Sequence, residues 1–433
     1  MPKKKTALTI EERLQQALVP AEEQPYEVPE NWVWVRLLST FVNKTDSKKK
    51  IQQKFYLNTG DYAIVDQGQN LIGGYTNDAS LQYDGELPVV VFGDHTRCVK
   101  YVDFNFVQGA DGVKILLPYK SFDSKFFYYA IMNLNIPNMG YRRHFPLFDK
   151  LTLPLPPLSE QQRIVERIEE LFAKLDEAKE RLQEAADSFA VRKAAILHKA
   201  FTGELTKQWR RENGVSDESW EEKKLGEVGV LERGRSKHRP RNDERLFGGI
   251  YPFIQTGDVA NADMFIEKHS QTLSDFGMQQ SKLFAKNTIC ITIAANIGKV
   301  AILSYDSCFP DSVVGLITDG KNNYKYVYYY LSTQQKELES KAPATAQKNI
   351  NLKVLNDLDI PLPTFPEQHE IVRLIDDLLA RERSAQQATE QALASIDLMK
   401  KSILARAFRG ELGTNKASEA SALELLRQVL AEN

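Results

Sequence analysis

Cysteine is scarce in this chain of 433 residues. Cys98, Cys290 and Cys308 are too few and too scattered for a disulfide framework or a zinc site. That scarcity suits a reducing compartment, so the cytoplasm is the expected location. Long apolar runs are missing as well. No stretch approaches the roughly 18 consecutive apolar residues of a membrane span, and no membrane contact is expected. The basic start Met1-Pro2-Lys3-Lys4-Lys5 has no apolar segment behind it, which argues against a secretory signal. Neither sign of charge dominates: 56 Lys and Arg face 58 Asp and Glu, a formal charge of −2. Catalytic signatures are also absent. Gly298-Lys299 is followed by Val300 instead of a hydroxyl residue and lacks the upstream glycine of a phosphate loop. No glycine-rich cofactor loop follows an apparent strand, and the Asn/Asp-Pro-Pro-Tyr/Phe signature of amino-methyltransferases does not occur.

What the chain does have is an internal repeat. Residues 153–206 and 360–413 align without a gap at an offset of 207, with 21 of 54 positions identical. Upstream the offset shrinks. Lys125-Phe126-Phe127-Tyr128-Tyr129 matches Lys325-Tyr326-Val327-Tyr328-Tyr329 at 200, and Trp32 and Leu37 match Trp220 and Leu225 at 188. Ala110-Asp111 and Pro310-Asp311 precede similar apolar strands and mark a shared turn. The chain therefore reads as one duplicated module, a variable segment followed by a helix. Its length suits two or three domains.

Each repeat carries a 4-3 apolar stripe, the pattern of coiled coils. The first runs through Ile164, Ile168, Leu171, Leu175, Ala178, Leu182, Ala185 and Phe189. The second runs through Ile371, Ile375, Leu378, Ala385, Ala392, Ile396, Met399 and Ile403, interrupted by Glu382 and Thr389. Ser159 and Gln162 stand at capping-box spacing, and Pro366 suits a first helical turn. Both helices finish at Phe-x-Gly-Glu-Leu, where Gly203 and Gly410 can adopt the left-handed conformation that ends helices. The simplest arrangement packs the two copies on each other, antiparallel, about a pseudo-two-fold.

The variable segments look different. Short β-branched and aromatic runs such as Pro88–Asp94 and Thr288–Ile293, punctuated by Gly, Asp and Asn, predict strands and turns of small mixed α/β domains. The Phe/Tyr segments near 126–131 and 326–331 predict one helix in each. The fold class expected is α/β (α+β): two small mixed domains joined by two long antiparallel coiled-coil helices. The boundaries drawn are an N-terminal arm (1–28), a first domain (29–152), a first repeat helix (153–206), a linker (207–219), a second domain (220–359), a second repeat helix (360–413) and a helical tail (414–433).

The junctions Leu153-Pro154-Leu155-Pro156-Pro157-Leu158-Ser159-Glu160-Gln161-Gln162-Arg163-Ile164 and Ile360-Pro361-Leu362-Pro363…Glu367-Gln368…Ile371-Val372 resemble those of type I restriction–modification specificity subunits (the HsdS family). So do Ser402–Leu412 and the tail Ser421–Leu426. The resemblance covers nearly the whole chain, although the variable domains match only in outline. It implies that each variable domain is a target-recognition domain reading half of a split target in double-stranded DNA. It further implies that the helices set the spacing and dock two methyltransferase (modification) subunits, with restriction/translocase subunits joining for cleavage. S-adenosylmethionine, ATP and Mg²⁺ then belong to those partners, and this chain binds no cofactor and catalyses nothing alone.

With that reading, basic loop-like stretches become DNA-contact candidates. Arg233, Arg235, Lys237, His238, Arg239 and Arg241 form the densest cationic run, suited to phosphates and, through Arg, to guanine edges. Tyr141, Arg142, Arg143 and His144 stand just before the first junction, as Gln347, Lys348 and Asn349 do before the second. His95, Thr96 and Arg97 sit at an apparent turn between strands, and Lys299 is a further candidate within Ile297-Gly298-Lys299-Val300, a stretch that resembles the family in outline. Plain solvated loops would have the same composition. Residues 40–152 hold 13 Lys and Arg against 11 Asp and Glu, and residues 220–359 hold 18 against 17, so neither domain is a broadly basic clamp. Two rivals remain. A coiled-coil scaffold explains the helices but not two matching β-rich domains. A metal-dependent nuclease would rest on Pro310-Asp311 with Asp319-Gly320-Lys321 alone, a pattern without a counterpart behind Asp111.

Overall fold

A computed structural model describes residues 9–342 and 349–432. The chain divides into two compact units, Met1–Gln183 with Gln391–Asn433, and Glu184–Glu390. Two long helices, Leu158–Phe201 and Phe365–Ala407, each give one part to each unit. Both helices, the strands Val89–Gly93 and Ile289–Thr292, and the two Phe/Tyr helices stand where the sequence predicts them.

In the first unit, the run Val89–Gly93 is the buried heart of an antiparallel sheet. It pairs with Val99–Val102 on one side and Val113–Pro118 on the other, and Phe41–Asn43 closes the edge. A second sheet combines Lys50–Ile51, Phe106–Gly109, Tyr62–Val65 and Gly74–Thr76. In the second unit, Ile289–Thr292 lies between Val300–Leu303 and Val313–Thr318, with Gly229–Arg233 outside the latter. Strands buried on both faces read as continuous apolar runs, which is why the sequence exposes them. Each unit adds a capped helix. Asp123 accepts from the amides of Lys125 and Phe126 ahead of Ser124–Asn133, and Asn323 accepts from Lys325 ahead of Tyr324–Thr333.

The Glu-Gln pair of each junction explains why that motif recurs. Trp32 donates its indole N–H to buried Glu160 at 2.8 Å, and Trp220 donates to buried Glu367 at 3.1 Å. Gln161 accepts from the amide of Asp123, and Gln368 from the amide of Asn323, so each glutamine ties a long helix to the cap of the shorter one. The opposite end of the other long helix completes each site. Asn415 and Thr414 donate to Glu160, whereas Thr206 and Arg210 donate to Glu367. Phe408 lies against Phe126, and Phe201 against Tyr326, with ring centroids 5.2 Å and 5.4 Å apart. Within each unit the two long helices therefore run antiparallel. Gly203 and Gly410 end them with φ of +75° and +74°.

The seam departs from a strict heptad. Ile164, Ile168, Phe189, Ile371, Ile375 and Ile396 are buried as expected, while Leu171, Leu175, Leu182, Leu378 and Ile403 are half-buried. Met399 is 42% exposed, against the expectation, and Lys400 takes its place beneath Phe172 and beside Asp176. Leu379 and Leu404 are buried where Leu378 and Ile403 were expected to be. A straight helix drifts about 20° per heptad from a 3.5-residue repeat, which moves the contact from i+3 to i+4 positions. The two interruptions have partners. Glu382 pairs with Arg192 at 2.8 Å, and buried Thr389 bonds back to the carbonyl of Ala385. Ser159 is no cap, because the helix already begins at Leu158 on the carbonyl of Pro157.

Candidate nucleic-acid interface

In the first unit the turn after Val89–Gly93 and the loop before the first junction meet. The imidazole Nδ1 of His95 donates to the carbonyl of Tyr141 at 3.0 Å, and Arg97, with φ of +62°, donates to the carbonyl of Ile136. Thr96 donates its hydroxyl to the carbonyl of Gln67, whose side chain reaches the amide of His95 and the carbonyl of Asp111. On this base Tyr141 is 98% exposed, and Arg142 and Arg143 are exposed beside it. Asp111 bonds to Lys50, which holds its carboxyl below the usual range, and the fields of Arg143 and His95 add to that.

His144 does not belong to the surface. It is fully buried, its amide and Nδ1 both facing the carbonyl of Asp94 at 2.8 Å, and its Nε2 accepts from the amide of Met139. A carbonyl only accepts and an amide N–H only donates, so these partners require the Nδ1–H tautomer. Asp94 in turn accepts from the amide of Phe145 at 2.7 Å. A group this enclosed cannot touch DNA; it fastens the exposed loop to the turn.

The second unit builds the same edge from other residues. The amide of Ile350 donates to the carbonyl of Ile293, as that of His144 does to Asp94. The amide of Ile293 donates to Ser312, as that of Asp94 does to Gly112. Buried Ile293 and Ile350 thus replace the buried polar pair. The tight turn Ala295-Asn296-Ile297-Gly298 ends at half-buried Lys299, and Asn349 bridges to Ala294. Gln347 and Lys348 lie outside the described residues.

The cationic run is partly committed to the protein itself. Arg233 donates to the carbonyl of Asp311 and Arg241 pairs with its carboxylate at 2.8 Å. Gly234 passes so close to Phe309 and Pro310 that a Cβ would lie 2.3–2.4 Å from their carbonyl oxygens. His238 bonds to Asp243, whose carboxyl is held well below its usual range by Arg245 first and His238 second. Arg239 turns back onto the carbonyls of Ser236 and His238. Arg235 and Lys237 are exposed and make no side-chain bond among the described residues. The nuclease reading finds its carboxylates otherwise engaged: Asp311 anchors this loop, and Asp319 caps the turn at Lys321 and Asn322. Among the described residues, no group of three or more His, Cys, Asp or Glu could hold a metal ion.

Sequence reasoning missed Gln67 and the lysine run Lys44–Lys50. Gln67 lacks a charge or a motif, and only the fold brings it between residues 95 and 111. The lysines were masked by nearby acidic residues.

The comparisons with known proteins agree with this architecture. A family model described as the type I restriction modification DNA specificity domain matches residues 29–186 and 217–393. The EcoBI specificity subunit of Escherichia coli is 29% identical over 355 residues, 74% of this chain and 74% of that protein. The EcoKI specificity subunit of strain K12 is 27% identical over 304 residues, 66% and 64% of the two chains. The crystal structure of the HsdS subunit from Thermoanaerobacter tengcongensis superposes with a TM-score of 0.62 at 18% identity, covering 90% of this chain and 99% of that one. No helix among the described residues is long and apolar enough to cross a membrane. With both variable segments matched, and each joined to a long repeat helix, the chain belongs to the type I restriction–modification specificity family, whose members are DNA-recognition subunits.

Proposed function

We propose that this chain reads a bipartite DNA target of two short sequences separated by a gap of fixed length, one half through residues 29–152 and the other through residues 220–359. The observation that carries the reading is the recurrence of one exposed edge on one backbone frame. In both units a strand–turn–strand and the loop before the junction are joined by the same amide-to-carbonyl bonds, while the side chains differ. A common frame with different side chains is what two readers of different sequences need, since base edges specify and phosphates position.

The long helices and their closing segments, 153–206 with 207–219 and 360–413 with 414–433, act in this account as the spacer that sets the gap. Two methyltransferase subunits dock along them, and ATP-dependent restriction subunits join through those. S-adenosylmethionine, ATP and Mg²⁺ act on the partners, and the complex works in the cytoplasm. The near-zero charge of both variable segments fits weak binding by the chain alone, strengthened when partners close around the duplex. Methylome sequencing of cells expressing the chain with its modification partner tests the reading. Methylated adenines in a split motif with a constant gap are expected; a continuous motif contradicts it.

A further inference from the structure

The first unit shows no arginine-rich run to match residues 233–241. Strand register nevertheless locates its counterpart. Phe41–Asn43 pairs with Val113–Pro118, and Gly229–Arg233 pairs with Val313–Thr318. Gly93 faces Val113 and Thr292 faces Val313, so positions 113 and 313 correspond. Opposite Val313 stands Gly234, whose amide donates to it. Lys44 donates to Ile115, so the residue two further on, Asp46, occupies the position of Gly234. The offset is 188, the one that relates Trp32 to Trp220.

The segment leaving this point in the first unit contains Lys48, Lys49 and Lys50, with Lys44 just before it. Its end is held as the arginine run is held. Lys50 pairs with Asp111, as Arg241 pairs with Asp311. Lys49 pairs with Asp84 at 2.7 Å. That leaves Lys44 and Lys48 exposed and without an ion pair among the described residues, as it leaves Arg235 and Lys237 in the second unit.

We propose that the loop Lys44–Lys50 is a phosphate-contacting element of the first unit, the counterpart of Arg233–Arg241, with Lys44 and Lys48 as its free cations. Asp111 and Asp311 are positioning residues: Asp111 fixes the first loop at Lys50, and Asp311 holds the second through its carboxylate at Arg241 and its carbonyl at Arg233. Asp46, Asp84 and Asp111 offset three of the four lysines, and Asp311 offsets one of the five cations of the arginine run, so both loops keep a net positive charge even though each domain as a whole is nearly neutral. The inference rests on the DNA-reading function proposed above. Contacts of this kind position the protein and carry no sequence information.

Salt dependence tests it. The full chain, purified with its modification partner, is titrated with a labelled non-specific duplex over a series of salt concentrations. Each lost phosphate contact lowers the slope of log K against log salt by about 0.9. The double variant Lys44→Ala/Lys48→Ala is expected to lose about two units of slope, and so is Arg235→Ala/Lys237→Ala, with the methylated motif unchanged in both. Both pairs are exposed, and thermal melting of each variant checks that folding is intact. A normal slope in the lysine variant beside a reduced slope in the arginine variant overturns the inference and leaves the DNA-reading function standing. Absence of salt-dependent binding by the wild-type complex overturns both.

Discussion

His144 and Asp94 face each other across 2.8 Å, imidazole Nδ1–H to backbone carbonyl, with no solvent reaching the histidine. The pair fastens the exposed loop carrying Tyr141, Arg142 and Arg143 to the turn carrying His95 and Arg97. His144→Ala takes the imidazole from the carbonyl of Asp94, which keeps the backbone amide of residue 144, and from the amide of Met139, and each hydrogen bond lost costs about 0.5–1.5 kcal/mol. A fall of several degrees in Tm is expected, with faster amide exchange in residues 138–145. Arg143→Ala, an exposed change beside it, should alter stability by less than about 0.5 kcal/mol. Equal losses from the two would mean that His144 does not fasten the loop.

The two junction glutamates differ in their partners. Arg210 is almost fully buried against Glu367, whereas no cation bonds to Glu160 among the described residues. Removing one partner of a buried ion pair costs up to about 3–5 kcal/mol because the other charge stays buried, although Arg210 keeps the exposed Asp217 at 2.9 Å, which lessens the loss. Glu367→Ala should therefore destabilise its unit more than Glu160→Ala does. Glu367→Ala with Arg210→Met should recover part of the loss. Hydrogen exchange, read separately over residues 184–390 and over the remainder, distinguishes the two effects.

The seam correction makes its own prediction. Ile168 is fully buried and Met399 is exposed, although both fit the heptad of the sequence. Ile168→Asp should unfold or severely destabilise the helix pair, since a buried unpaired charge is costly. Met399→Asp should be tolerated within about 0.5 kcal/mol. Thermal melts of the two variants suffice; similar melts would restore the strict heptad.

Alkali should unfold the chain through its tyrosines. Burial pushes Tyr129, Tyr328 and Tyr330 up to about 12, from an ordinary value of 10. A raised folded-state value means stability that is complete below pH 10 and lost as pH climbs toward 12. Phenolate absorbance from these residues should appear together with the loss of helical circular dichroism. Early titration of all tyrosines, with the helices intact, would contradict their burial.

Much of this architecture is legible in the sequence because its strongest signals are local or periodic. The repeat offset, the apolar stripes, the Gly-Glu-Leu stops at Gly203 and Gly410, and the unbroken run at Val89–Gly93 all lie within short windows. The parallel pairing of Tyr62–Val65 with Phe106–Gly109 does not, because it joins segments about 40 residues apart through backbone bonds that carry no residue signature. The site divides in the same way. His95, Tyr141, Arg142 and Arg143 were recognisable by type, and the fold brings them together. His144 has the same residue type and neighbourhood, yet the fold turns it inward. Lys44 and Lys48 have no such signal, because Asp46 and Asp84 offset them in any count of charge, and only the folded ion pairs of Lys49 and Lys50 set them apart.

Exchanging one variable segment shows whether the two halves of the target are read separately. Residues 220–359 are replaced by the corresponding segment of another family member, and the methylated motif is sequenced in cells carrying the hybrid with its modification partner. One half of the target should change while the other half and the gap stay as they were. A hybrid whose motif changes in both halves at once would contradict separate reading.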